Sequence, residues 1–219
     1  MRRDFRRPIT YLITGGETSA ETNAASEEFD SLLALVRSAV AARVSLVQLR
    51  EKNLCARTLH ELAARAAAIA RGSATRVLVN DRADIARAAG CDGAQLSTRS
   101  LEASVVRRAF GEDFLIGVST HSVEEARAAR EGGADFAVFG PVFDTPSKRQ
   151  YGPPLGLEVL SEAARALAPF PLVAVGGVEK GNVREVLRAG AAGVAAIRLF
   201  ANGQNLARKV HHIESLRAG

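Results

Sequence analysis

The feature that most constrains this chain is a rhythm: short runs rich in Val, Ile and Leu recur roughly every 20 to 40 residues, separated by amphipathic segments of helical period. The runs cover residues 9–14, 44–49, 76–79, 93–96, 115–118, 136–139, 172–175 and 193–197. Each is nearly continuous in apolar character, which suits parallel strands buried on both faces; strands with one wet face alternate instead. Between the runs, residues 26–42 set Phe29, Leu32, Leu33, Val36 and Val40 on one stripe, and residues 59–70 follow the same rule. Ser122 with Glu125 three residues on predicts a helix start. Gly190 predicts the stop of a helix over 182–189. Eight strands alternating with about eight helices in 219 residues predict a single (β/α)8 barrel domain over residues 1–219. A doubly wound open sheet is the rival, but no G-x-G-x-x-G follows the first strand. The Gly-rich turns come late instead, at Gly176-Gly177 and at Gly193, where barrels of this class commonly bind phosphate. Residues 15–27, GGETSAETNAASE, form a small polar loop after the first strand. In a barrel that loop opens at the catalytic face, either as a mobile lid or as a disordered connection.

Composition narrows the class further. With 47% hydrophobic and 24% charged residues the chain sits among globular proteins, which excludes collagen, long disorder and a disulfide-stapled miniprotein. No uncharged apolar run approaches the length of about 18 residues that a membrane span needs. The apolar stretch within MRRDFRRPITYLIT is too short for a signal-peptide core. Cys55 and Cys91 have no metal-site spacing and read as free thiols, so the expected location is the cytoplasm. A net charge of +5 raises the question of nucleic acid. The arginines, among them Arg43, Arg65, Arg87, Arg107, Arg108, Arg127 and Arg130, are scattered on helical stretches with no pattern of aromatic residues interleaving them. They read as solvated helix faces, and no nucleic-acid partner is expected.

In a barrel, chemistry belongs at the C-terminal ends of the strands. The second strand ends in Gln48-Leu49-Arg50-Glu51-Lys52. Alternation aims Gln48 and Arg50 to one side, and Lys52 adds a second cation, which suits a phosphate or diphosphate. The competing reading is a salt-bridged edge through Glu51. The third strand ends in Asn80-Asp81-Arg82. Beside such cations Asp81 is a candidate Mg²⁺ ligand, although Asn and Asp are also ordinary helix caps. Past the fifth strand lie Ser119 and His121, the latter a candidate acid/base or hydrogen-bonding group. The loop after the sixth strand places Thr145, Ser147 and Lys148 together, a pattern that fits an anion clamp. Backbone N–H groups near Gly177, Ile197 and Arg198 can cradle a second phosphate, with charge from Arg198. His211 and His212 lie far from any strand end and read as surface residues. Spacing alone therefore indicates an enzyme acting on phosphorylated small molecules, two of them by the count of anion sites, with self-association as a homo-oligomer left open.

Five segments go further. QLREK at 48–52, VNDR at 79–82, GVSTHSVEEA at 117–126, GADFAVFGPVFDTPSK at 133–148 and AVGGV at 174–178 resemble the thiamine phosphate synthase family, which includes the related thiazole tautomerases. The resemblance runs from Tyr11 to about Phe200. It implies a (β/α)8 barrel that joins hydroxymethylpyrimidine diphosphate to thiazole phosphate with Mg²⁺ and releases pyrophosphate. By the same resemblance Gln48, Arg50, Lys52, Asn80, Ser119 and Lys148 contact the pyrimidine diphosphate, Asp81 binds Mg²⁺, and Thr145, Ser147, Gly177, Ile197 and Arg198 meet the thiazole phosphate. Ser119, His121 and Lys148 are the candidates for catalysis.

The chain departs from the family pattern at three places. Ser100 stands where synthases usually carry the second metal-binding Asp, Arg198 replaces a small hydroxyl residue, and Gly15 takes a place where Asp is common. The tautomerase branch also tends to lack that Asp and uses a histidine at the place of His121. A tautomerase, and a non-catalytic thiazole or thiamine phosphate binder, are therefore the alternatives. Retention of Lys52, Asn80 and Asp81 favours the synthase, because a tautomerase needs no diphosphate site.

Overall fold

The computed structural model describes residues 8–145, 153–201, 203 and 205–216. Eight strands, β1 (Ile9–Ile13), β2 (Leu46–Leu49), β3 (Arg76–Asn80), β4 (Gly93–Leu96), β5 (Leu115–Thr120), β6 (Phe136–Phe139), β7 (Leu172–Ala174) and β8 (Gly193–Ala196), form a closed barrel. All neighbours are parallel, and β1 pairs with both β2 and β8. The helices are α1 (Glu27–Ala41), α2 (Ala56–Ala70), α3 (Ala83–Ala88), α4 (Ala103–Phe110), α5 (Val123–Glu131), α6 (Gly156–Leu167), α7 (Val183–Arg188) and α8 (Leu206–Ser215). The (β/α)8 barrel expected from the apolar rhythm is the fold that forms.

Strand limits shift for local reasons. The second strand starts at Leu46 rather than at 44, because the Ser45 N–H donates to the Thr10 hydroxyl (3.0 Å) and the Thr10 N–H to the Ser45 hydroxyl (3.2 Å). Side chains thus replace the first rungs of the ladder. The seventh strand stops at Ala174, since the Val175 carbonyl accepts from Val142 N–H (2.8 Å) in the loop after β6. At α5 the Ser122 hydroxyl accepts from Glu125 N–H (3.1 Å), as the spacing predicts. The Glu125 carboxylate reaches the N–H of His121 (2.7 Å), one residue before the cap.

Two layers of side chains hold the barrel. The outer layer packs strand against helix; in α1 it buries Phe29, Leu33, Val36 and Ala39, with Leu32 and Val40 only partly covered. The inner layer fills the barrel with Ile9, Tyr11, Ile13, Leu46, Leu78, Leu115, Phe136, Val138, Val173 and Ala195. Tyr11 and Phe136 meet edge to face, with centroids 5.8 Å apart. Gly117 makes that filling possible: a Cβ there would stand 2.4 Å from Phe136 Cζ and 2.4 Å from Gln95 Oε1. No helix among the described residues is long and apolar enough to cross a membrane.

The Tyr11 phenol is fully buried, and burial pushes its pKa well above the ordinary value of 10.0. Above pH about 10 the unfolded chain releases this proton while the native chain keeps it, so the native state binds more protons and stability falls with pH by up to about 1.4 kcal/mol per unit. The contribution is fully present below the unfolded pKa and is lost as pH rises above it. In urea titrations between about pH 9 and about pH 11, Tyr11→Phe is expected to lose less stability than the parent; equal slopes would refute the assignment.

Candidate active site

The inner layer changes character toward the C-terminal ends of the strands. On β2 to β5 the uppermost inward positions are Gln48, Asn80, Gln95 and Ser119, placed by alternation from Leu46, Leu78, Gly93 and Leu115. On β1 and β6 to β8 the corresponding positions are Ile13, Val138, Val175 and Ile197. The mouth therefore has a polar half and an apolar half.

Two hydrogen-bonded chains organise the polar half. In the first, Gln48 Nε2 donates to Asn80 Oδ1 (2.8 Å) and Asn80 Nδ2 donates to Asp81 Oδ2 (2.8 Å). Asp81 Oδ1 accepts from the Ser97 N–H (3.1 Å) and from the Ser100 hydroxyl. Asp81 stands at the strand end with φ +59°, a left-handed conformation that Asp tolerates better than most side chains. Its own N–H holds the Gln95 carbonyl (2.9 Å). In the second chain the Tyr11 hydroxyl donates to Gln95 Oε1 (3.1 Å), and Gln95 Nε2 donates to the Ser119 hydroxyl (3.1 Å). Ser119 thus receives a proton from below and keeps its own to offer at the mouth.

The cations of the second strand end follow. Arg50 is half-buried and its N–H is held by the Thr14 hydroxyl (2.8 Å), while Lys52 is exposed. The salt-bridged edge considered for Glu51 does not form. Glu51 is 2% exposed, and its carboxylate is taken up by neutral donors of the loop after β1.

On the apolar side, the loops after β6 and β7 interlock. Val142 N–H and Phe143 N–H donate to Val175 O and Gly176 O (2.8 and 3.0 Å), and Asn182 Nδ2 holds the Gly177 carbonyl (3.0 Å). Gly177 adopts φ +63°, and a Cβ there would lie 2.6 Å from Phe143 Cβ. Among the described residues, the N–H groups of Gly177 and Arg198 donate to no backbone carbonyl. Ile197 is half-buried and Arg198 exposed at the adjoining strand end, while Thr145 is buried. Ser147 and Lys148 lie outside the described residues. His121 is exposed, with Nδ1 against the Gly140 carbonyl. A carbonyl only accepts, so the neutral ring carries its proton on Nδ1 and leaves Nε2 as an acceptor. A cleft of about 310 Å³ lies on the outer flank between α7 and α8, lined by Lys180, Arg184, Glu185, Arg188 and His212, and contains none of the mouth residues.

Among the described residues, no group of three His, Cys, Asp or Glu side chains is arranged to hold a metal ion. Asp81 is the carboxylate that faces the polar half, so a cation held there would draw its remaining oxygens from water or from a bound ligand. Gln95 and Tyr11 were not singled out by the sequence. The signal that could have found Gln95 is an amide in a strand otherwise read as buried and apolar.

The sequence matches, over residues 11–200, the model of the family described as thiamine monophosphate synthase. Thiamine-phosphate synthase of Anaeromyxobacter dehalogenans is 45% identical over 165 residues, which is 75% of this chain and 73% of that one. Thiamine-phosphate synthase of Roseiflexus castenholzii is 38% identical over 191 residues, 87% of this chain and 80% of that one. Among solved structures, thiamine phosphate pyrophosphorylase from Pyrococcus furiosus superposes with a TM-score of 0.77 at 29% identity, covering 96% of this chain and 99% of the other.

The Gln95 amide links a buried phenol to Ser119, so Gln95→Leu strands the Tyr11 hydroxyl without an acceptor. A loss of about 2 kcal/mol is expected in urea unfolding, and Tyr11→Phe added to Gln95→Leu should recover part of it. Strict additivity of the two changes would show that the link carries no energy.

Proposed function

From the premise that the chain belongs to the thiamine monophosphate synthase family, we infer that it is an enzyme of thiamine phosphate synthesis, joining hydroxymethylpyrimidine diphosphate to thiazole phosphate and releasing pyrophosphate. The observation that carries the reading is the divided mouth. Its polar half holds Asp81 beside the Gln48–Asn80 pair, with Arg50 and Lys52 following in the chain past the end of β2, and its apolar half adjoins the backbone N–H groups of Gly177 and Arg198. A diphosphate needs the first arrangement and a phosphorylated heterocycle the second.

In this reading Gln48, Arg50, Lys52, Asn80, Ser119 and Lys148 bind the pyrimidine diphosphate, and Thr145, Ser147, Gly177, Ile197 and Arg198 bind the thiazole phosphate. Ser147 and Lys148 are assigned from their motif alone. The bond from the pyrimidine methylene carbon to the diphosphate oxygen breaks, and the electron pair leaves with the diphosphate. The thiazole nitrogen then gives its lone pair to that carbon. Arg50, Lys52 and Lys148 offset the charge that grows on the leaving group, and the Ser119 hydroxyl has a proton to donate in the same region. Ile13, Val138, Val175 and Ile197 form the wall against which the carbon can be kept from water.

The donor set at Asp81 fits Mg²⁺, a hard cation often held by one or two carboxylates plus substrate phosphates. It would be held by Asp81 together with diphosphate oxygens, and would supply further neutralisation of the departing charge. Ser100 gives that carboxylate a hydroxyl donor, and no second negative charge. The proposed partners are small phosphorylated molecules in the cytoplasm, a compartment that suits the free thiols of Cys55 and Cys91.

The test is turnover of the purified protein with both substrates and Mg²⁺. Thiamine phosphate should form, disappear with EDTA, and fall at least about a hundredfold in Asp81→Ala. A silent Asp81→Ala would overturn the assignment of that residue. Isomerisation of a thiazole phosphate that needs His121 and no metal, without thiamine phosphate, would replace the synthase by a tautomerase. Ser100→Asp is expected to raise Mn²⁺ affinity in the presence of pyrophosphate by about tenfold, read by electron paramagnetic resonance. Unchanged affinity would show that position 100 does not reach the cation.

A further inference from the structure

Glu51 lies between two cations in sequence, yet its buried carboxylate meets the loop after β1 instead. Oε1 accepts from the Thr14 hydroxyl (2.5 Å) and the Gly16 N–H (3.2 Å), and Oε2 accepts from the Thr18 hydroxyl (2.8 Å) and the Thr18 N–H (3.4 Å). A buried charge is tolerated only when donors replace its water, and these donors do so without using a cation. Arg50 and Lys52 are thereby left un-neutralised by the carboxylate beside them.

The clamp also reaches Arg50 directly. The Thr14 hydroxyl that donates to Glu51 is the acceptor of the Arg50 N–H (2.8 Å). Gly16 lies against the same residue: a Cβ there would stand 3.2 Å from Arg50 O and 3.4 Å from Arg50 Nη1. Asn53 Nδ2 closes the far end on the Thr18 carbonyl (2.8 Å). Residues 14–18 and 50–53 thus form one hydrogen-bonded unit.

We propose that Glu51 is a positioning residue, whose carboxylate clamps residues 14–18 onto the end of β2 and so fixes the place where Arg50 meets the diphosphate. The proposal rests on the synthase reading for the identity of that ligand, and adds a residue and a fixed rim to it. A carboxylate is required because four donors converge on its two oxygens, whereas an amide keeps a single acceptor oxygen. On this view the front of the loop is part of the wall of the site and does not open to admit substrate.

The variants are Glu51→Gln, Thr14→Val and, as the conservative control, Thr14→Ser, each checked for folding by circular dichroism. Glu17 and Glu21 are exposed within the loop, so a glutamate-specific protease reports on the clamp without reference to activity. Glu51→Gln and Thr14→Val should be cut about tenfold faster, whereas Thr14→Ser should match the parent. Both should raise KM for the pyrimidine diphosphate about tenfold, with kcat and the KM for thiazole phosphate within about threefold. Calorimetry with pyrophosphate and Mg²⁺ should show a similar loss of affinity. A loop that opens while diphosphate KM and pyrophosphate affinity stay unchanged would overturn the proposal and leave Glu51 a loop anchor. If the parent makes no thiamine phosphate, the synthase reading fails, and pyrophosphate affinity still decides whether Glu51 positions Arg50. If Glu51→Gln does not fold, the two Thr14 variants give the answer.

Discussion

Every backbone edge of this sheet is paired because the sheet closes on itself, and that closure dictates where polar chemistry can stand. A ring of parallel strands covered by helices has no wet face, so its interior must be filled by side chains. Tyr11 and Phe136 supply the bulk, and the bare backbone at Gly117 leaves them room. The one phenol in that filling then needs an acceptor, and Gln95 provides it. Because an amide has two ends, the acceptor for the core is also the donor to Ser119. Core and site are joined through one side chain.

The same closure divides the mouth. Inward positions on β2 to β5 end in amide and hydroxyl groups, while those on the remaining strands end in aliphatic ones. Asp81 gains its place by a left-handed turn at the end of β3 and is held there by Asn80, Ser97 and Ser100. Backbone strain of this kind persists where surrounding hydrogen bonds over-determine it, and here those bonds come from a strand, a loop backbone and a hydroxyl.

Much of this was legible in the sequence, for a reason that differs from residue to residue. The strands were visible because burial on both faces leaves unbroken apolar runs, and Gln48, Asn80 and Ser119 stand out as the polar residues at their ends. The clamp made by Glu51 has no local signal, because its sequence neighbours are cations and suggest at most a salt-bridged edge. Its partners come from 33 to 37 residues earlier, a distance that no local pattern reports. Gln95 was hidden for a related reason, since its role depends on Tyr11, 84 residues away. The late start of β2 follows from a Ser45–Thr10 exchange that apolar periodicity cannot register.

The pairing of β1 with β8 has a consequence for how the chain comes into being. Ile9 lies beside Gly193 and Leu12 beside Ala196, so β1 must wait for β8, the last strand of the barrel, before both its edges are covered. During that interval its unpaired backbone edge is a template for mispairing with other chains. The clamp between residues 14–18 and Glu51 needs only the first quarter of the sequence, whereas the cradle at Gly177 and Arg198 needs almost all of it. On the ribosome, the clamp and the cradle are therefore completed far apart in time.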